Sequence, residues 1–287
     1  MISINDKISV IIPIYNEAEK VSASIESVLQ QTYTNLEIII VYKESSDDSY
    51  QKIMNFNDSR IKIVNQIENN GPGGARNLGI DNATGNFIGF VECEVIPNDY
   101  FEKHIKTLVQ NDADISFCKI ARYDGENFIQ NYKLPSKTTI TKLIDKIELL
   151  TNGASFNKLF KAEIIKENNV RFAENLRWED NPFLLQAVYY ANKLVFVDNL
   201  TYNYRPTAWS ENYRMILQNS IADISRIMFN FAKKNKFSLK EKLRLRYMMF
   251  KSYVAGFANN KDIMKEFYSI VGFSPYIWYR CIKRSIK

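Results

Sequence analysis

Residues 87–94 read Phe87-Ile88-Gly89-Phe90-Val91-Glu92-Cys93-Glu94, an apolar run that ends in two carboxylates separated by one residue. A second apolar run begins at Ile8 and ends in Pro13-Ile14-Tyr15-Asn16-Glu17. In an open α/β sheet, ligands bind beyond the carboxyl ends of the strands. Carboxylates placed there suit a hard divalent cation that is held against a diphosphate. The two runs therefore predict strand ends that carry a binding site.

Strand and helix patterns alternate along the first two thirds of the chain. Apolar runs predict strands at residues 8–14, 36–42, 60–65, 86–91, 113–119 and 194–197. Helical spacing predicts helices at residues 21–31, 75–83, 100–110, 142–150 and 180–191, and again at 216–234, 239–258 and 261–268. Residues 71–74 read as a turn or loop, and residues 122–137 as a loop or a short hairpin. This alternation predicts a parallel, doubly wound sheet.

The charge of the chain is unevenly distributed. The 287 residues are 46% hydrophobic and 24% charged, with a net charge of +6, which is typical of a globular protein. Residues 226–287 contain 15 Lys or Arg against 3 Asp or Glu, so this region carries +12 and the first 225 residues carry −6. Such a region suits an anionic surface, either phospholipid headgroups or nucleic acid. The alternative is a solvated lysine-rich face.

Cysteine usage and hydropathy predict a cytosolic location. Cys93, Cys118 and Cys281 have no metal-ligand spacing, and no charged-then-apolar leader opens the sequence. No apolar run reaches the roughly 20 residues that span a bilayer. The sequence therefore predicts reduced thiols in a protein that is soluble or lies on a membrane.

Three segments carry a resemblance to a known family. The turn at residues 13–17, the segment Asn70-Gly71-Pro72-Gly73-Gly74-Ala75-Arg76-Asn77-Leu78-Gly79 and the acids at 92–94 resemble family 2 inverting glycosyltransferases of the bacterial surface-polysaccharide type. The resemblance covers residues 7–210. It implies the GT-A fold, a Rossmann-like, mostly parallel sheet flanked by helices, here with a C-terminal helical extension. The implied domains are residues 1–212, with a nucleotide half at about 1–120 and an acceptor half at about 121–212, and a basic helical region at 213–287.

The resemblance also implies a nucleotide-sugar site. Its residues are Pro13, Tyr15, Asn16, Glu17, Lys43, Gly74, Arg76, Asn77, Glu92 and Cys93. Glycines let the backbone approach a ligand, and Arg76 offers a planar cationic fork for phosphate. The alternatives are an Asn16 helix cap and a Gly-Pro turn with Arg76 paired to a surface acid.

Glu92 and Glu94 stand where the family has an Asp-x-Asp motif. Alternation along a strand would point both side chains to the same side. By the resemblance, Glu94 binds the metal cofactor, Mn²⁺ or Mg²⁺. Glutamate is one methylene longer than aspartate, so the alternative is a pair of solvated acids that hold no metal.

Lys43 differs from the family pattern at a position that contacts the nucleobase in relatives. Tyr42 and Lys43 replace two family aspartates, the second of which accepts the N3–H of uracil in relatives that use uridine donors. Lysine offers only donors, which suits cytosine, so the sequence raises a CDP-sugar donor as an alternative to a UDP-sugar. The competing interpretation is that Lys43 turns to solvent or meets Glu44, and backbone groups hold the base.

The segment Arg177-Trp178-Glu179-Asp180 resembles the acceptor half of the family. By this resemblance Asp180 is the catalytic base, with Glu179 as a supporting catalytic group, because inverting transfer needs one carboxylate to take the acceptor proton. The implied acceptor-binding residues are Trp178, Tyr204 and Trp209. A helix-start acid and aromatic core packing are the alternatives.

The implied activity is inverting transfer of a sugar from a nucleotide-diphosphate donor to a hydroxyl of a growing surface glycan, free or lipid-linked. Residues 226–287 are expected to contact an anionic membrane surface at its cytoplasmic, inner face, and a homo-oligomer interface is the rival interpretation. Nucleic acid is not expected as a partner, since no recognised module accompanies the charge. A catalytically silent scaffold and a CDP-dependent phosphoalcohol transferase stay open as alternatives.

Overall fold

The structure is a computed structural model that describes residues 3–123, 125–129, 138–152, 154–205 and 211–257. Its first half is a parallel sheet. The strands are β1 (Ile8–Ile14), β2 (Leu36–Tyr42), β3 (Ile61–Asn65) and β4 (Phe87–Phe90). The connecting helices are α1 (Val21–Leu29), α2 (Ser49–Met54) and α3 (Gly71–Asn82). Since the spatial order is β3-β2-β1-β4, strand order reverses between β1 and β4, where α/β sheets bind ligands.

The second half extends the sheet with mixed pairings. It contains α4 (Tyr100–Asn111), β5 (Ile115–Tyr123), β6 (Phe128–Ile129), β7 (Thr139–Ile140), α5 (Leu143–Glu148), a 3₁₀ turn (Leu149–Asn152), β8 (Lys158–Lys161), α6 (Ala162–Glu167), α7 (Asp180–Tyr190) and β9 (Leu194–Tyr204). The sheet continues as β4-β8-β5-β9-β7. Strand β8 is antiparallel to β4 and β5, whereas β5 and β9 are parallel. The predicted α/β fold with helices flanking the sheet is confirmed, and β6, β7 and β8 are antiparallel additions to it.

Side-chain alternation on the central strands builds an apolar core on each face of the sheet. Val10 and Ile12 of β1 belong to the core under α1 and α4, whereas Ile11 belongs to the core under α3 and α7. All three are fully buried. The central strands are therefore covered on both sides, as their continuous apolar sequence predicts.

Two long helices follow the sheet, α8 (Glu211–Lys234) and α9 (Leu239–Phe257). Ile224 and Met228 of α8 and Leu245 of α9 share one apolar core with Phe183 of α7. A domain boundary at residue 212 stays a prediction. The predicted helix at 261–268 lies outside the described residues. Within the described ranges, no helix is both long and apolar enough to cross a bilayer.

Residues 71–74 were predicted as a turn or loop, and that prediction is wrong because they form the first turn of α3. Pro72 fits there since the first helical N–H groups have no intrahelical partner. A Cβ atom on Gly73 would lie 2.2 Å from the carbonyl oxygen of Ala173. The absence of a side chain thus lets the helix start pack directly on the chain that leads to α7.

Other elements differ from the predictions. Helices α2 and α6 and strands β7 and β8 were not predicted, because each is too short to show a periodic pattern. Strand β9 runs to Tyr204 rather than 197, since residues 198–200 bulge between the Cys118–Val197 and Lys119–Thr201 pairs. Arg122 and Tyr123 pair antiparallel with Ile129 and Phe128, which agrees with the short hairpin that was one of the two alternatives. Residues 124 and 130–137 of that region lie outside the described residues.

Candidate active site

The predicted site residues gather at the carboxyl ends of β1, β2 and β4 and at the start of α7. Tyr15, Asn16 and Glu17 follow β1, and Lys43 follows β2. The acids at 92–94 follow β4, and Asp180 is the first residue of α7. The topology therefore brings both halves of the domain to one edge of the sheet.

The turn after β1 is held by side chains of the β2–α2 loop. Three hydroxyl or carboxylate oxygens accept backbone N–H groups there: Ser45 Oγ from Asn16 (3.0 Å), Ser49 Oγ from Glu17 (3.0 Å) and Asp47 Oδ2 from Ala18 (2.9 Å). Asn16 has a φ of 53°, a left-handed conformation that asparagine tolerates well. Its side-chain oxygen accepts the N–H of Ser46 at 2.9 Å. Asn16 thus shapes the turn, and its predicted contact with a nucleotide stays a prediction.

Lys43 stands against an aromatic ring. Its Nζ lies 4.4 Å from the centroid of the Tyr15 ring, a cation–π contact. The Tyr15 side chain is 53% exposed, so its ring is available to a ligand. The described contacts of Lys43 therefore include this ring rather than Glu44.

Glu92 and Glu94 lie beyond the strand, and the expected alternation of their side chains is wrong. Strand β4 ends at Phe90, and Cys93 has a φ of 52°, which breaks the extended geometry between the two acids. The Glu92 N–H donates to the Tyr202 hydroxyl at 3.1 Å. Glu94 Oε1 accepts the N–H of Arg205 at 2.9 Å. The backbone of Glu92 and the side chain of Glu94 are therefore held by residues in the last part of β9 or just after it.

Arg76 joins the donor and acceptor halves. Its Nε and one terminal nitrogen donate to both oxygens of Glu92 at 2.8 and 2.9 Å, and its other terminal nitrogen donates to Glu179 Oε1 at 2.7 Å. The Arg76 and Glu179 side chains are only 6% and 8% exposed. The acids that surround Arg76 raise its pKa further, although burial opposes this. Arg76 is thus committed to two carboxylates, and its predicted contact with phosphate stays a prediction.

The neighbours of Arg76 on α3 have structural partners as well. The Asn77 amide donates to the Phe172 carbonyl and the Glu174 carboxylate, both at 3.1 Å, and its oxygen accepts the Phe172 N–H at 2.9 Å. A Cβ on Gly74 would lie 2.4 Å from the Cβ of Asn70. These contacts assign Asn77 and Gly74 to the brace between α3 and the segment before α7. Their contact with a nucleotide stays a prediction.

Asp180 is the carboxylate with the properties of a base. Desolvation raises its pKa to about 6; Arg76 opposes this shift, whereas Glu179 and Glu92 add to it. Within the described part of the chain, its hydrogen bond comes from the Ser155 N–H, to Oδ1 at 3.2 Å. Asp180 keeps partial exposure, so it can reach a ligand. A carboxylate with a pKa near neutral pH is well matched to proton transfer.

The residues present fit a divalent cation whose coordination is completed by oxygen atoms of the bound ligand. The described residues include no group of three or more His, Cys, Asp or Glu side chains placed to hold a metal ion. Glu94 is 4% exposed and, within the described contacts, uses one oxygen for Arg205 and leaves the other free. Burial raises the pKa of Glu94, which a nearby cation would counteract. Mg²⁺ is commonly held by one or two carboxylates plus substrate phosphates, and Glu94 fits such a site.

The predicted acceptor residues are placed in part. Trp178 has a φ of 66° and packs against the apolar core beside Glu179. Tyr204 stacks on Phe156, with ring centroids 5.0 Å apart. Trp209 lies outside the described residues. Tyr202 and Arg205, which bind the backbone of Glu92 and the side chain of Glu94, were not predicted as site residues.

Comparison with known proteins agrees with this architecture. Residues 9–168 match the family described as Glycosyl transferase family 2. The chain is 27% identical over 249 residues to the glycosyltransferase GlyA of Streptococcus pneumoniae, with 79% of this chain and 35% of GlyA covered. It therefore spans about a third of that relative's length. It is 31% identical over 180 residues to a relative from Escherichia coli, UDP-Glc:alpha-D-GlcNAc-diphosphoundecaprenol beta-1,3-glucosyltransferase WfgD, with 57% of this chain and 71% of WfgD covered.

A solved structure shares the fold. The crystal structure of Staphylococcus aureus TarS residues 1–349 in complex with UDP-GlcNAc superimposes with a TM-score of 0.64 at 18% identity, covering 91% of this chain and 83% of that one. The family match spans more than half of the chain, and the sheet order and flanking helices agree with the fold. The chain belongs to glycosyl transferase family 2 and has the GT-A fold.

Proposed function

We propose that the protein transfers a sugar from a nucleotide-diphosphate donor to a hydroxyl of a growing surface glycan, with inversion at the anomeric carbon. The observation that carries this proposal is the bridge from Glu92 through Arg76 to Glu179. It joins the strand tip on the donor side to the residue before Asp180. The WfgD name specifies an acceptor on diphosphoundecaprenol, which favours a lipid-linked glycan here as well.

Asp180 takes the proton of the acceptor hydroxyl as that oxygen attacks the anomeric carbon opposite the leaving diphosphate. Arg76 occupies both oxygens of Glu92 and one of Glu179, whereas the Asp180 residue keeps partial exposure. Among these three acids Asp180 is the best placed to take a proton, and this favours a single displacement.

Glu94 would hold Mn²⁺ or Mg²⁺. A cation bound there would supply positive charge for the departing diphosphate. The protein's own groups orient Glu94 for this role. The Arg205 N–H binds one Glu94 oxygen, and the Tyr202 hydroxyl accepts the N–H of Glu92 and so fixes the backbone there.

We further propose that Lys43 selects the nucleobase, with cytidine preferred over uridine. WfgD uses UDP-Glc by name and TarS was solved with UDP-GlcNAc, so a uridine donor is the competing outcome. Lys43 stands over the exposed Tyr15 ring, where a donor can face a base that stacks there. A base acceptor at N3 exists in cytosine, whereas uracil carries N3–H.

Competition between nucleoside diphosphates in the presence of Mn²⁺ tests the donor site. CDP is expected to bind about tenfold tighter than UDP, because a hydrogen bond to a charged group contributes about 1.5–3 kcal/mol. Lys43→Asp is expected to reverse this order, and Lys62→Asp on the exposed edge strand provides the same charge change as a control. If UDP binds more tightly than CDP, and Lys43→Asp does not change this order, Lys43 does not select the base. Absence of binding by either nucleotide would reject the site.

The basic region 226–287 is proposed to contact an anionic membrane on the cytoplasmic side. In its described part, the end of α8, the turn after it and the start of α9 expose Lys233, Lys234, Lys236 and Lys240, and Leu239 is 73% exposed. Lysines around an exposed leucine suit an anionic interface. Flotation with vesicles tests this proposal, and the protein is expected to float with anionic vesicles but not with neutral ones. Binding to both kinds of vesicle alike, or to neither, would contradict it.

A further inference from the structure

Lys158 is a buried lysine close to the proposed base. It is the first residue of β8 and is 3% exposed. Its ammonium donates to the Ala154 carbonyl at 2.5 Å and to Asn157 Oδ1 at 2.7 Å. A buried ammonium costs free energy unless partners and opposite charge compensate it. The Asp180 carboxylate supplies opposite charge for the Lys158 ammonium.

One peptide unit lies between Lys158 and Asp180. The carbonyl of Ala154 accepts from the Lys158 ammonium, and the N–H of Ser155, in the same peptide unit, donates to Asp180 Oδ1 at 3.2 Å. In a planar trans peptide, C=O and N–H point in opposite directions. The negative end of this peptide dipole thus faces the ammonium, and its positive end faces the carboxylate. Hydrogen bonds in such a chain polarise one another.

Charged and titratable groups from several elements surround Lys158, the Ala154–Ser155 peptide and Asp180. Arg76 of α3, Glu92 after β4 and Glu179 before α7 face Asp180, and Cys118 of β5 and His104 of α4 face Lys158. Burial lowers the pKa of His104 to about 3, so this ring is neutral near pH 7. Burial also lowers the pKa of Lys158 to about 8, and the charge of Asp180 opposes that shift, so Lys158 is protonated at pH 7. Two acids oppose ionisation of Asp180, whereas Arg76 and Lys158 favour it.

We propose that Lys158 is a positioning residue for the Asp180 base, acting through the Ala154–Ser155 peptide. It orients the N–H that binds Asp180 and supplies positive charge that favours the ionised carboxylate. This inference rests on the proposed role of Asp180 as the base. Lys158 contacts neither donor nor acceptor in this role.

The pH dependence of kcat in Lys158→Met tests the proposal. Loss of the cation and of the oriented N–H should move the acidic limb to higher pH by about one unit, so that kcat on that limb falls about tenfold relative to wild type. The KM for the donor should change little. Lys158→Arg, which keeps the charge, should restore much of the wild-type profile.

Lys146 provides the matched control. It is also buried, at 4% exposure, and donates to a backbone carbonyl, that of Ala191, but its charged neighbour is Asp114. Lys146→Met should leave the acidic limb in place. A folded Lys158→Met protein whose limb coincides with that of wild type would overturn the proposal.

A double variant decides the case if Lys158→Met alone does not fold. The gain in stability that Asp180→Asn brings should be larger in the Lys158→Met background than in the Lys146→Met background, because only Lys158 compensates the charge of Asp180. An equal gain in the two backgrounds would reject the link between Lys158 and Asp180. Failure of the proposed function is distinguishable, because an Asp180→Asn protein that kept full turnover would reject the base itself, whatever Lys158 does.

Discussion

Asp180→Asn is expected to lower kcat by about 10²–10⁴-fold, the usual contribution of a general base, while binding of the nucleotide donor changes little. The amide keeps the size of the side chain but cannot take a proton from the acceptor hydroxyl. In wild type, the pKa of about 6 places the acidic limb of kcat near that pH, with activity lost as Asp180 becomes protonated. The variant should lose this limb together with its activity.

The same substitution should stabilise the fold at pH 7. The pKa of Asp180 is raised from 3.8 to about 6, so the folded protein favours the neutral carboxyl. The ionised form therefore costs free energy of folding as pH rises through this interval, and the cost is complete above it. Asparagine has no charge to desolvate. A higher thermal midpoint with lower turnover would show that activity was lost without unfolding.

Initial rates of nucleotide release and thermal unfolding, measured on the same preparation, check this prediction. Asp145→Asn is the control, because Asp145 also lies in the first turn of a helix, α5, away from the cluster. It should change neither quantity appreciably. Asp180→Asn turnover within a few-fold of wild type would show that another group takes the proton.

Arg76→Met is expected to lower the free energy of unfolding by about 3–5 kcal/mol, the usual cost of removing one partner from a buried ion pair. Methionine retains part of the apolar stem but leaves Glu92, Glu179 and Asp180 without the cation between them. Turnover should fall as well. Arg76 lowers the pKa of Asp180, so its removal raises that pKa and leaves less ionised base at neutral pH.

Arg60→Met is the matched control for Arg76→Met. Arg60 also forms a two-pronged pair with an acid, Asp58, but those side chains are 26% and 29% exposed. Such a pair contributes about 0–1 kcal/mol. Chemical denaturation at several pH values measures both variants. The loss in free energy of unfolding caused by Arg76→Met should become smaller as pH falls, because protonated carboxyl groups need no cation between them. An equal loss in Arg76→Met and Arg60→Met would contradict the role of Arg76.

The fold could be predicted from sequence because the decisive elements carry strong local patterns. Strands β1, β2 and β4 are continuous apolar runs, and α1 shows its buried face through Val21, Ile25 and Val28. Short elements escaped prediction. Strand β8 has four residues, and its first is Lys158, a residue type that the apolar pattern of a buried strand does not predict.

The site was predicted as a set of residues but not as a set of contacts. The segments around Arg76, Glu92 and Asp180 were found from the order of motifs along the chain. That Arg76 pairs with Glu92 and Glu179 could not be read, because sequence separation does not show which side chains meet. The alternation that placed Glu92 and Glu94 on one side failed because the left-handed backbone at Cys93 has no signal in the sequence.

The anomeric configuration of the product, read by proton NMR from a donor of known configuration, tests the central claim most directly. A single displacement with Asp180 as base predicts inversion, so an α-linked donor yields a β-linked product. An α-linked product would require a nucleophile or a front-side path that the Arg76-bound acids do not provide, and it would contradict the account.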